Sequence, residues 1–133
     1  MFRYIPRTIR PLQSPIARMS SQAQPPRQLF FVYAPDKAEE GTFERRMSVR
    51  PKHLETAKER SAQGLVRLGG GLMTPESIES ADAPKKLIGS TFIFQAASLE
   101  EVKKLVEEDI YYTSGVWDAE KLVILPFAAA TMP

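Results

Sequence analysis

The alternation of apolar and polar positions predicts six main elements after residue 27. Leu29-Phe30-Phe31-Val32-Tyr33 is a short aromatic and β-branched run that reads as a buried strand, ended by Ala34-Pro35-Asp36. Gly41-Thr42 opens a short helical piece over Phe43 to Val49. Pro51 suits the first turn of a second helix, where its missing N–H has no intrahelical acceptor in any case. That helix runs to about Gln63, with Gly64 as its stop. Leu65-Val66-Arg67-Leu68 begins as a strand and dissolves into Gly69-Gly70-Gly71, and the polar stretch from Thr74 to Lys86, with Pro75 and Pro84, reads as a loop. Leu87 to Gln95 is the clearest strand. Ser98-Leu99-Glu100-Glu101 has the capping-box spacing, and its helix carries Leu99, Val102, Leu105 and Val106 on one face. It ends in Glu107-Glu108-Asp109, three acids where the helix dipole favours cations, a cost that invites a functional reason. Lys121 to Phe127 is a last strand with Pro126 near its end.

The order strand, helix, strand, strand, helix, strand is the split β-α-β arrangement of ferredoxin-like α+β folds. It predicts a four-stranded antiparallel sheet with two helices on one face. The opposite face, rich in Phe, Val and Ile, is expected to pair with a second copy of the chain.

Composition narrows the chemistry. The 133 residues make one domain, and no apolar run approaches the length needed to span a bilayer. Zero cysteines removes disulfides, thiolate catalysis and cysteine–zinc sites, and a single histidine argues against a transition-metal site. The net charge of +2 comes from the first 27 residues, which hold Arg3, Arg7, Arg10, Arg18 and Arg27 and no acid. With those five set aside, the 16 acidic residues outnumber the 13 remaining basic ones, so a nucleic-acid surface is not expected. Residues 1–27 have the composition of a mitochondrial presequence, or of a disordered basic leader interrupted by prolines. The domain proper is then 28–133. A start at Met19 removes most of the arginines, so the expected location is the mitochondrial matrix, with a cytosolic form from the internal start.

His53 is the one side chain that titrates near neutrality without a large perturbation, and so the natural acid–base catalyst if there is one. A lone histidine can equally pack or face water. In the first turn of a helix it would feel a partial positive charge that keeps the ring neutral, while a carboxylate such as Asp109 accepting a ring N–H would do the reverse and fix the tautomer. Asp109 alone reads as a solvated helix end. Arg46 and Arg50 precede His53 by seven and three residues, and either can hold a substrate carboxylate or enolate, or form a surface ion pair with Glu44 or Glu55. Gly69, Gly70 and Gly71 can let backbone amides approach a ligand, or mark a bulged strand end. Ser90 can bond a ligand or satisfy backbone, and Tyr111, Tyr112 and Trp117 are better read as packing than as pocket. No Gly-x-Gly-x-x-Gly or P-loop is present, so no nucleotide cofactor is implied and none of any kind is expected.

Several stretches together resemble the YCII-related proteins, small dimeric α+β-barrel domains. They are Phe31-Val32-Tyr33-Ala34, the block from Arg46 to Leu54 with its Arg-Pro-x-His-Leu core, Gly89-Ser90-Thr91, Asp109 to Val116, and Pro126-Phe127. The likeness covers about Gln28 to Phe127. Two departures are Ile110, where a proline often follows the family's aspartate, and Gly70-Gly71-Leu72 in place of a glycine–proline. The resemblance implies a histidine–aspartate pair at a pocket near a dimer interface, carried over to His53 and Asp109. It also implies lyase- or isomerase-like proton transfer on a small cyclic or carboxylate metabolite; Arg46, Arg50, Gly71 and Ser90, read from the residues themselves, are the substrate-binding candidates. With the leader, the member expected is a mitochondrial one from a fungus or other eukaryote. The alternative is a non-catalytic dimeric domain that binds a small molecule or a protein partner.

Overall fold

The computed structural model describes residues 26–133; the presequence and internal-start expectations fall almost wholly outside that range. Strand β1 (Gln28–Pro35) alternates as its sequence dictates, burying Phe30, Val32 and Ala34. Helix α1 (Thr42–Ala62) follows, then β2 (Val66–Met73), a 3-10 turn at Pro75–Ile78, and β3 (Leu87–Ala96). Helix α2 (Leu99–Glu107), a one-turn helix α3 (Ile110–Thr113) and β4 (Val123–Phe127) complete the chain. The strands form one antiparallel sheet in the order β2-β3-β1-β4. This is the expected ferredoxin-like α+β fold. Val102 and Val106 of α2 pack on Phe30, Val32 and Phe94 on one face of the sheet. The register places Tyr33 opposite Val123 and Phe31 opposite Leu125, so the other face carries Phe31, Tyr33, Val123, Leu125 and Phe127, most of them exposed.

Three local expectations are corrected. The segment 43–63 is not a short piece plus a Pro51-initiated helix but one 21-residue helix with Pro51 inside it. Pro51 has no N–H to give the carbonyl of Met47, a cost of up to about 3 kcal/mol. The helix continues because its inner stripe, Thr42, Arg46, Val49 and His53, is anchored against the sheet on both sides of the proline. His53 therefore sits mid-helix, not in a first turn, and the expected influence of a helix N-terminus on its ring does not apply. The glycines do not dissolve β2: Gly69, Gly70 and Gly71 pair with Phe92, Thr91 and Ser90, with irregularities at either end. Asp109 does not burden the end of α2. It caps the start of α3, its carboxylate accepting the Tyr111 backbone N–H at 2.9 Å.

The remaining signals act as read. Gly64 adopts a positive φ of 75° just past α1. The Ser98 side chain accepts from the Glu101 N–H at 3.1 Å, while the Glu101 carboxylate reaches one residue further back than the usual capping box, to the Ala97 N–H.

Candidate active site

The inner face of α1 is unusual for a helix packed on a sheet, because its buried residues are Thr42, Arg46 and His53 rather than aliphatics. Burying such groups is costly unless each is paired, and each is. His53 Nδ1 lies 2.8 and 3.0 Å from the two carboxylate oxygens of Asp109. Both side chains are buried, and Arg60, two turns beyond His53, approaches the same carboxylate at 3.8 Å. A carboxylate can only accept here, so Nδ1 carries a proton, and in the neutral ring it is Nε2 that holds the lone pair. The buried polar atoms left without a partner among the described residues are Asp36 Oδ2, Arg46 Nε and Tyr111 Oη. His53 Nε2 is not one of them and makes no hydrogen bond among the described residues, so it faces the cleft that His53 lines.

Tyr111 forms the wall behind the histidine. Its ring stacks on the imidazole at 3.9 Å and 19°, and the Arg46 guanidinium lies 4.4 Å from its centroid. Burial raises the Tyr111 hydroxyl above its ordinary range, against the opposing charges of Arg46 and Arg50, so it stays a neutral phenol. Arg46 in turn donates to Asp36 at 2.8 Å and to Ser90 Oγ at 3.0 Å. Ser90 also accepts from the Trp117 indole at 3.2 Å. Burial pushes the Asp36 carboxyl up, opposed by the charge and hydrogen bond of Arg46.

The cleft runs between α1 and the glycine edge of β2, with a volume of about 480 Å³. Its charged lining residues are Arg46, Arg50, Lys58 and Arg67, and no carboxylate lines it. Gly69 and Gly71 face inward. A Cβ on Gly71 would meet Leu87 at 2.8 Å and come within 3.5 Å of Arg46, and one on Gly69 would meet Phe92 at 2.9 Å. Bare backbone is thus what keeps Phe92 and Leu87 close under the cleft floor.

The candidates named from sequence separate accordingly. His53 and Asp109 converge, and Arg50, half-buried and without an ion pair among the described residues, lines the cleft with Gly71. Arg46 lines it too, but its charge is already met by Asp36, and Ser90 lies beneath it rather than in the lining. Asp36, Arg60 and the stacking role of Tyr111 were not foreseen. Arg60 had a signal, since its seven-residue spacing puts it on the face of His53; Asp36 had only the general need of a buried arginine for a counterion. No cluster of three His, Cys, Asp or Glu side chains able to hold a metal occurs among the described residues.

Comparison with known proteins places the chain in a family. Protein YciI of Escherichia coli is 32% identical over 99 residues, which cover 74% of this chain and 95% of that protein. Fusaric acid biosynthesis protein 2 of Gibberella fujikuroi is 33% identical over 75 residues, covering 56% of this chain and 70% of its own. Among solved structures, the 5-chloro-2-hydroxyhydroquinone dehydrochlorinase of Burkholderia phenoliruptrix, in complex with 2,5-dihydroxybenzoquinone, shares the fold. Its TM-score is 0.61 at 22% identity, over 75% of this chain and 93% of the other. The family model of the YCII-related domain matches residues 29–127, nearly everything from β1 to β4, and the chain belongs to that family.

Proposed function

We propose that the cleft is the active site of a cofactor-free enzyme moving a proton on a small anionic metabolite, cyclic or carboxylic, in a lyase- or isomerase-type reaction. The observation that carries this reading is the buried His53–Asp109 pair, with Nε2 open to a cleft whose charged lining is entirely cationic. Nε2 takes a proton from a carbon next to the anionic group, and the electron pair of that C–H bond moves into the ring or carbonyl system. In an elimination that pair forms a double bond as a leaving group departs with its own electrons. In an isomerisation the imidazolium returns the proton to a different carbon. Asp109 holds the tautomer and offsets the charge that develops on the ring, and Arg50 holds the substrate anion. Arg46 and Ser90 act indirectly, pinning Tyr111 against the imidazole. The names of the dehydrochlorinase and of the fusaric acid biosynthesis protein agree with small-molecule chemistry in this fold.

The test is solvent deuterium exchange into the ring C–H positions of 2,5-dihydroxybenzoquinone, with binding followed by calorimetry. The wild-type chain should accelerate exchange, and His53→Gln should lower the rate by roughly 10²–10⁴-fold while keeping affinity within a few-fold. Binding without acceleration would favour the non-catalytic reading, and no binding would remove the ligand class.

Two further expectations belong to the same proposal. The apolar outer sheet face, with Tyr33, Leu125 and Phe127 exposed, fits a second copy of this chain. A monomer in sedimentation at micromolar concentration would exclude that. Residues 1–27 direct the protein to the mitochondrial matrix. A fusion of those residues to a fluorescent protein that stays in the cytosol would count against it.

A further inference from the structure

Strand β4 ends at Phe127, opposite Leu29 of β1, and the segment from Ala128 to Pro133 follows it. That segment turns back over the outer face of the sheet. A groove of about 340 Å³ there is lined by Phe31, Leu68, Ile93 and Phe127 of the sheet and by Met132 and Pro133 of the segment. Because the strand order is β2-β3-β1-β4, meeting Leu68 means crossing from one edge strand toward the other. Three strand spacings make that about 14 Å, and six extended residues span up to about 20 Å, so the segment is long enough. The exposure of the face follows the crossing. Phe31 and Ile93, in the groove, are half-buried, whereas Tyr33, Val123 and Leu125, away from it, are exposed. Met132 itself is 45% exposed, so the segment is laid on the face rather than built into a core.

From this we infer that residues 128–133 are a displaceable strap over the face that a second copy would use, an intramolecular contact that holds self-association back. The inference rests on the second-copy reading of that face and adds the competition. Two sheets packed face to face sit about 10 Å apart, with the gap filled by their own side chains. That leaves no room for a backbone segment between them, so each strap must leave before Phe31, Ile93 and Leu68 can meet a partner. Displacing two straps, each with about half a methionine side chain buried, should weaken the dimer roughly 10- to 100-fold relative to a bare face.

Sedimentation velocity from nanomolar to high micromolar concentration tests this on the full chain, a chain ending at Ala128, Met132→Ser and Met132→Leu. The buried core lies on the other face of the sheet, so the shortened chain keeps its fold. It should dimerise roughly 10- to 100-fold more tightly than the full chain. Met132→Ser should move the same way by less, and Met132→Leu, which keeps the apolar contact, should hold the wild-type Kd. An unchanged Kd in the shortened chain would mean that the segment lies clear of the interface. A weaker dimer would make the segment part of the interface. Either result overturns the strap and leaves the second copy standing, whereas chains that all stay monomeric would overturn both.

Discussion

Asp109→Ala removes a carboxylate that does two jobs. It accepts from His53 Nδ1 at 2.8 Å and from the Tyr111 N–H at 2.9 Å, and it is 3% exposed. Losing the cap of α3 costs about 1 kcal/mol. Leaving the buried imidazole N–H without an acceptor costs a further 1–3 kcal/mol, roughly. The Arg60 contact at 3.8 Å adds little, being long and at the edge of the site. The sum is a loss of about 2–4 kcal/mol. For a domain of this size that corresponds to a fall in Tm of very roughly 10–30 °C. Asp109→Asn should lose less, because its amide oxygen can still accept the Tyr111 N–H. The same oxygen is the one nearer Nδ1, so the tautomer is kept, but a neutral amide no longer offsets the charge that develops on the imidazole, and proton transfer should slow. Urea unfolding at equilibrium measures the first quantity, and deuterium exchange the second. An Asp109→Ala chain within 0.5 kcal/mol of wild type would mean that the carboxylate behaves as a solvated helix end.

Other perturbations separate structure from chemistry. Tyr111→Phe removes a buried hydroxyl that has no partner among the described residues, so stability should hold or rise by up to about 1 kcal/mol; a clear loss in thermal unfolding would show that the hydroxyl is bonded. Pro51→Ala should raise stability by about 1–3 kcal/mol, because the proline lies inside a continuous helix; no gain would favour a proline that starts a separate helix. Asp36 has a folded pKa raised by burial above its ordinary 3.8, so the folded state holds its proton longer than the unfolded chain does. Its contribution to stability is therefore full below the ordinary carboxylate value and declines as pH rises through the raised one. The stability difference between wild type and Asp36→Asn, measured by urea unfolding across the acid range, should fall over that interval and flatten above it. A difference that rises with pH there would contradict the burial.

The fold was legible because strands 29–33 and 87–95 and the Ser98 cap are local signals that tertiary structure reinforces. Helix α1 was misread because Pro51 is a strong local punctuator, overridden by packing on both sides of it. The polar inner stripe of that helix carries no apolar periodicity, so burial of Arg46 and His53 could not be read from hydropathy. The pairing of His53 with Asp109, 56 residues apart, was reached through resemblance to a family rather than through spacing. Asp36 carries no local signal, because its partner, Arg46, has the sequence surroundings of a surface cation and is buried only by the packing of the helix. The cationic character of the cleft depends on α1 lying against the edge of β2, and neither element shows that alone.

The chain has one histidine, so its imidazole nitrogens can be observed by 15N NMR without assignment ambiguity. In mildly alkaline solution the account requires a proton on Nδ1, shielded from solvent exchange by the Asp109 carboxylate, and a bare Nε2 whose resonance moves when an aromatic carboxylate enters the cleft. A proton on Nε2 instead, or an imidazole that exchanges freely and ignores the ligand, would contradict the claim that His53 is the oriented base of this site.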